Sequence, residues 1–357
     1  MTLPATGSRE RLPQSAALPR TPFWDVARGL GILLVVYGHV ARGLMTAGVL
    51  PSTAPWTALD ALIYSFHMPL FFYISGRFFP ATFVRQGPAQ LMRRKVGSIA
   101  YPYLLWSLIQ GGIEVALAGL TNHGGRPAIA GILLTPIDQF WFLYALFFIF
   151  GVATAVYSIR FHPAWVLLAI AGILFFTDVS TVAWSGFGYV AYYLLFFSLG
   201  SVTAGARAPF LGLSAGGTAA VALVSLAVLI VLQTGALSPL GLHSLWPQRI
   251  SAFACALTGC SFILCAASLA RGRFAMLMAL LGRCSMEIYL LHILAASGIR
   301  IVITKLLGLH DPALHLLLGL SVGTFFPILV ARAMRRRGGN WLFEWPRTAT
   351  SSAGQAA

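Results

Sequence analysis

Three ionisable side chains, Asp25, Arg28 and His39, stand in the apolar run that begins at Phe23. A lipid-facing helix excludes such groups unless they have a task. Successive residues of an α-helix turn by about 100°, so the step from Arg28 to His39 ends only about 20° past three full turns. Asp25 and Arg28, three apart, are helix neighbours. All three share one stripe, with His39 about 16 Å beyond Arg28 along the axis. Two readings fit. In one, Asp25 and Arg28 pair at the membrane interface and His39 hydrogen-bonds a neighbouring helix. In the other, a guanidinium stands at the mouth of a tunnel and an imidazole acts as general base deep inside. A long donor with a phosphorylated end would bridge those two points.

Two further stretches carry polar groups at helical spacing. Tyr64, His67, Phe71 and Ser75 fall on one stripe, and Pro69 beside them predicts a kink that opens a cavity. Ser285, Tyr289 and His292 share another face, from which Glu287 is turned away. His292 is either a second imidazole near the site or a ring bonded to a helix carbonyl. Arg93, Arg94 and Lys95 form a basic cluster, suited equally to the phosphates of a nucleotide and to fixing membrane topology. Glu114, in the third span, is either near a bilayer edge or a buried partner for a basic group. Cys255, Cys260 and Cys265 are five apart, so each turns about 140° from the last, and no metal site is expected.

The elements that hold these residues follow from composition. Of 357 residues, 58% are apolar and 9% charged, against about 25% charged in a soluble domain. That excludes an ordinary cytoplasmic enzyme, a disordered chain and a nucleic-acid-binding domain, despite the net charge of +15. The expected fold is all-α: a polytopic membrane protein of about ten transmembrane helices with both termini cytoplasmic. The spans are expected at 24–44, 59–79, 97–118, 138–157, 163–178, 186–204, 210–233, 250–270, 284–306 and 313–333. Segment 274–283 reads either as a cytoplasmic helix or as the foot of the ninth span.

Of the 24 basic residues, only Arg42, Arg126, Arg249 and Lys305 fall on the outer side, while Arg28, Arg283 and Arg300 lie in or at the edge of spans. The others fall on the cytoplasmic side, as membrane insertion requires. Residues 1–22, rich in Pro and Arg, read as a disordered cytoplasmic tail rather than a secretory signal. Residues 23–333 form the membrane domain and 334–357 a basic cytoplasmic tail.

The same residues carry a resemblance. Trp24-Asp25-Val26-Ala27-Arg28, ten residues and then His39 resemble the first-span signature of the acyltransferase-3 family of integral membrane O-acyltransferases. Phe66-His67-Met68-Pro69-Leu70-Phe71-Phe72-Tyr73-Ile74-Ser75-Gly76 resembles its second-span run. Arg93-Arg94-Lys95 before Tyr101-Pro102 is similar to its basic loop, and Ser285 with Ile288-Tyr289-Leu290-Leu291-His292 to its late element. Phe140-Trp141-Phe142-Leu143-Tyr144-Ala145-Leu146 is similar to the fucose 4-O-acetylase-like branch. Members that acetylate bacterial polysaccharides often carry an acidic run where this chain has Trp141–Phe148 without a carboxylate. Asp138 lies just before it and is given no acidic role.

The resemblance implies transfer of an acyl group, acetyl in the first instance, from cytoplasmic acyl-CoA to a hydroxyl of a saccharide or lipid-linked glycan, in a bacterial inner membrane. Its implied catalytic group is His39, with Arg28 and Asp25. Arg28, Arg93, Arg94, Lys95 and Ser75 would hold the donor. His67, Tyr64, Trp141, Tyr144, Tyr289 and His292 would meet the acceptor. Acyl-CoA is then a substrate, and no cofactor is expected to stay bound. His39 either deprotonates the acceptor or carries the acyl group itself. The acceptor, the acyl chain and the oligomeric state stay open. The competing class is a secondary transporter of a small polar or anionic solute; it is disfavoured because the polar residues concentrate in spans one, two and nine rather than in two matching halves. A membrane scaffold derived from the same family is the third.

Overall fold

Apolar segments too long for a soluble core become helices because only a helix satisfies its own backbone in lipid. The computed structural model describes residues 22–116, 131–159, 161–177, 185–206, 210–234 and 248–346, and among these it is helical with no strand. In chain order the α-helices are α1 (Pro22–Thr46), α2 (Ala54–Tyr64), α3 (His67–Lys95), α4 (Tyr101–Ala116), α5 (Trp141–Ser158) and α6 (Pro163–Phe176). They continue with α7 (Ser185–Val202), α8 (Ala215–Thr234), α9 (Gln248–Leu269), α10 (Gly272–Arg283), α11 (Ser285–Ile301) and α12 (Pro312–Arg336).

Among the described residues, seven segments are long and apolar enough to cross a membrane: Pro22–Thr46, Ala54–Ala116, Asp138–Ser158, Ala215–Thr234, Gln248–Leu269, Ser285–Leu306 and Pro312–Arg336. Two shorter apolar helices, α6 and most of α7, accompany them. The described residues of the ten expected spans are mainly helical, with the fifth and sixth falling on the two shorter helices, and the ambiguous 274–283 lies in the separate helix α10. The chain is a multi-pass membrane protein. Apolar side chains such as Ile173 on α6, Leu223 on α8 and Leu329 on α12 point outward, where lipid replaces water. The tail 1–21, Arg126, Arg160, Arg207, Arg347, His123, His243, Trp184 and Trp246 lie outside the described residues.

Two differences from the expected spans matter for the site. The second span is broken at Ser65–Phe66 rather than kinked at Pro69. Pro69 instead sits in the first turn of α3, where its missing N–H would have had no helical partner. At the other end of α3, Gly87 takes φ +70°, a left-handed conformation open to glycine, and Pro88 follows. The chain turns back there, so that Lys95 returns to the neighbourhood of Ser75. A wide π-type turn over Val96–Ala100 then leads into α4.

α1 runs through the core with more than half of its residues buried. Backbones meet closely at two crossings made by glycine. A methyl on Gly282 of α10 would overlap the Asp25 carbonyl of α1, and one on Gly29 the Met278 carbonyl. Gly76 and Gly200 do the same for α3 against α7, facing the carbonyls of Phe197 and Tyr73. Lipid is as apolar as leucine, so close backbone packing rather than water exclusion holds such pairs. Gly200→Val is therefore expected to destabilise the solubilised protein by about 1–3 kcal/mol. Gly172→Val, on α6 with nothing near its Cα, is expected to leave the melting temperature in detergent unchanged.

Candidate functional site

The stripe on α1 serves two cavities at different depths. Arg28 lines the first, of about 440 Å³, together with Ser75, Lys95 and Arg283. His39 lines the second, of about 510 Å³, together with Tyr64, His67, Trp141 and Tyr289. The two share no lining residue. α1, α3, α5 and α11 run past both.

The first cavity is lined by three cations, Arg28, Lys95 and Arg283, and by two carboxylates, Glu287 and Glu344. Asp25 is 7% exposed and stands between two guanidinia, Arg28 Nη1 at 3.4 Å and Arg283 Nη1 at 3.9 Å. One carboxylate thus fixes two arginines, and their summed charge exceeds its own. Lys95 Nζ rests 3.9 Å from the centre of the Phe150 ring, a contact that holds an ammonium without neutralising it. Glu287, five residues before His292 and so turned away from it on the helix, lines this cavity and pairs with Arg335 of α12. Arg93 and Arg94 are exposed and do not line this cavity.

The segment after α12 closes the same end of the bundle. Trp106 Nε1 donates to the Leu342 carbonyl at 2.7 Å and the Trp345 N–H to that of Gly97 at 2.9 Å. This brings Asn340, Phe343 and Glu344 into the cavity wall. Sequence reading missed this segment, whose only signal was a Trp-Leu-Phe-Glu-Trp run shortly after Arg335-Arg336-Arg337. It also left Arg283 at a span edge without a role.

Two imidazoles, His39 and His67, line the second cavity, and a third, His292, packs against His39 without lining it. The His39 and His292 rings lie 5.0 Å apart. His292 is fully buried, and its Nδ1 donates to the carbonyls of Tyr289 at 2.8 Å and Ile288 at 3.1 Å. That bond assigns the proton to Nδ1 and leaves Nε2, which has no partner, as an acceptor. His67 is built the same way, with Nδ1 2.8 Å from the Ile63 carbonyl. Both expected alternatives for His292 therefore hold together: it bonds a helix carbonyl and it adjoins His39. Neither ring nitrogen of His39 bonds a protein group among the described residues. Tyr64 stands 4.6 Å from His67 and 6.4 Å from His39 between ring centres. Across its face lies Arg42, 3.2 Å above the ring and held bidentately by Asp60 at 2.8–3.0 Å. Tyr144 lines neither cavity; its hydroxyl donates to the Leu133 carbonyl at 3.3 Å.

Between the cavities lies an aromatic layer. The Phe71 and Phe142 rings are 6.0 Å apart, and Phe142 lies 5.4 Å from Tyr289. Phe71 packs on Gly31, whose missing side chain leaves it room. Each of the four helices gives one residue to this layer. The expected tunnel is thus two chambers with a partition, Arg28 on one side and His39 on the other.

No solved structure matches the chain. It is 25% identical over 162 residues to nodulation protein NolL of Mesorhizobium japonicum, covering 44% of this chain and 41% of that one. It is 28% identical over 156 residues to nodulation protein NolL of Sinorhizobium fredii, covering 42% and 40%. The chain therefore matches about two-fifths of the length of these curated relatives. A family model described as an acyltransferase domain matches residues 21–332, nearly the whole helical bundle, and the chain belongs to that family, acyltransferase-3.

Proposed function

We propose that the protein moves an acyl group, acetyl in the first instance, from cytoplasmic acyl-CoA to a hydroxyl of a saccharide or lipid-linked glycan. The observation that carries this reading is His39: an imidazole that hydrogen-bonds no protein group among the described residues, lining the second cavity, on the helix whose other end presents Arg28 to the first. The side with the excess of basic segments is the cytoplasmic one, so the first cavity opens toward soluble acyl-CoA. Arg28, Arg283 and Lys95 supply fixed positive charge for its phosphates and amide oxygens. Arg93 and Arg94, exposed near that entrance, draw the nucleotide end inward over a longer range.

The thioester must then reach the second chamber past Phe71, Phe142 and Tyr289. There the acceptor oxygen attacks the thioester carbonyl while His39 takes its proton. Collapse of the tetrahedral adduct breaks the C–S bond, and the departing thiolate recovers the proton from the imidazolium. Both products leave neutral at the reacting atoms. The unpartnered Nε2 of His292 accepts a hydrogen bond from the acceptor or from the His39 imidazolium. If His39 carries the acyl group itself, the thiolate leaves first and the acceptor attacks the acyl-imidazole. The similarity to the fucose 4-O-acetylase-like branch favours a sugar hydroxyl over an amine. A bacterial inner membrane is the compartment in which such a donor and acceptor meet.

Removing the base is expected to lower transfer by about 10²–10⁴-fold in His39→Ala. The variant should keep its melting temperature and its acyl-CoA binding, measured with radiolabelled acetyl-CoA in nanodiscs. Single-turnover quench followed by mass spectrometry separates the routes, since a peptide bearing an acylated His39 appears only in the two-step one. Arg28→Ala is expected to raise the KM for acyl-CoA about tenfold or more, with Arg28→Lys intermediate because an ammonium lacks the bidentate fork. A transporter would instead move solute into proteoliposomes without any acyl-CoA.

A further inference from the structure

The acyl-transfer reading sets the donor's phosphates among Arg28, Arg283 and Lys95 but names nothing that holds the uncharged arm between those phosphates and the thioester. One wall of the same chamber is made by the segment after α12, beyond the last residue that the family model matches. Gly338 takes φ +75°, a left-handed conformation open to glycine, and turns the chain out of α12. Asn340–Trp345 then form a hook. The Asn340 carbonyl accepts from the N–H groups of Phe343 at 2.9 Å and Glu344 at 3.0 Å, which closes a compact turn.

The hook is fastened to α4 and to the wide turn before it. Besides the bonds from Trp106 and to Gly97, Trp345 packs edge-on against Tyr101, with ring centres 5.1 Å apart. Gly97 leaves room for this, since a methyl there would come within 3.3 Å of the Trp345 Cβ. Phe343 is buried, its ring 6.4 Å from that of Trp106 and tilted by 29°. Trp106 stands one turn of α4, about 6 Å, before Gln110, and Gln110 lines the second cavity. Phe343 thus reaches inward, toward the aromatic layer, rather than staying at the mouth.

Three hook residues line the chamber: Asn340, Phe343 and Glu344. None is a cation. The amide of Asn340 both donates and accepts, Phe343 presents a ring, and Glu344 accepts only. A carboxylate repels phosphate, so this wall is unsuited to the nucleotide end. The arm of acyl-CoA carries amide groups, a hydroxyl and methylene carbons without charge, which match an amide, an acceptor and an apolar ring. We infer, resting on the acyl-transfer reading, that Asn340, Phe343 and Glu344 form the wall that holds the pantetheine arm of the donor. The cations and the hook divide the donor between them, one taking its phosphates and the other its arm.

The test uses the full chain in nanodiscs and two thioesters: acetyl-CoA, and S-acetylpantetheine, which keeps the arm and lacks the nucleotide. Affinity for each is read by displacement of radiolabelled acetyl-CoA. Asn340→Ala and Phe343→Leu are each expected to weaken both thioesters by the same factor, about three- to tenfold, whereas Arg28→Ala weakens acetyl-CoA alone. Asn340 is exposed, and its backbone carbonyl remains in the alanine variant, so that variant carries the test if Phe343→Leu does not fold. S-acetylpantetheine bound as tightly as by the wild type overturns the arm wall, whatever happens to acetyl-CoA. So does a wild type that binds acetyl-CoA but no S-acetylpantetheine at millimolar concentration. A wild type that binds neither thioester fails the acyl-transfer reading instead.

Discussion

One helix has to carry a compensated charge at one end and an uncompensated imidazole at the other through an interior that tolerates neither well. The structure resolves this by burying the two under different rules. At the Arg28 end, Asp25 neutralises part of the charge and the remainder faces a chamber that can fill with solvent or an anion. At the His39 end no carboxylate bonds the ring among the described residues. Two further imidazoles share that end, His292 with its ring 5.0 Å away and His67 in the same cavity wall, each with its Nδ1 proton already given to a backbone carbonyl. Everything around α1 preserves that difference. The glycine crossings draw α10 against α1, so Arg283 reaches Asp25. The break at Ser65–Phe66 lets Tyr64 and His67 meet from two helices rather than one.

Much of this was legible in the sequence, and for a physical reason. Apolar length and 3.6-residue periodicity are local properties, so helix positions and the shared stripe of Asp25, Arg28 and His39 could be read directly. So could the face joining Tyr289 to His292. Contacts between distant segments could not. Nothing local to Arg283 says that a glycine one residue earlier will bring it to Asp25. Glu114 and Asp138 look unrelated until Gln110 of α4 reaches the turn before α5 and bonds both of them. The partition was also hidden. Phe71 and Phe142 read as ordinary core, and only their placement on facing helices makes them a layer. Pro69 misled for a different reason: a proline breaks a helix that already exists around it, but at a first turn it is compatible with the helix that starts there.

The partition gives the two-chamber arrangement its logic. A thioester exposed to a water-filled passage between the two sides would be open to hydrolysis, and such a passage would also let ions leak across the membrane. Aromatic rings drawn one from each of three helices, seated against a glycine on the fourth, close that passage at low cost because each ring packs on its neighbours when nothing lies between them. In the proposed reaction a narrow acyl arm would part such a layer by side-chain rotation, while Arg28, Arg283 and Lys95 would retain the charged nucleotide end. The cations would then do two things at once: bind the donor, and stop it at the depth where only its reactive end can pass. His39 stands beyond the layer, so under that proposal the base would meet a thioester only when the donor is fully engaged behind it. Separation of charge from base along α1 is what would couple binding on one side to chemistry on the other.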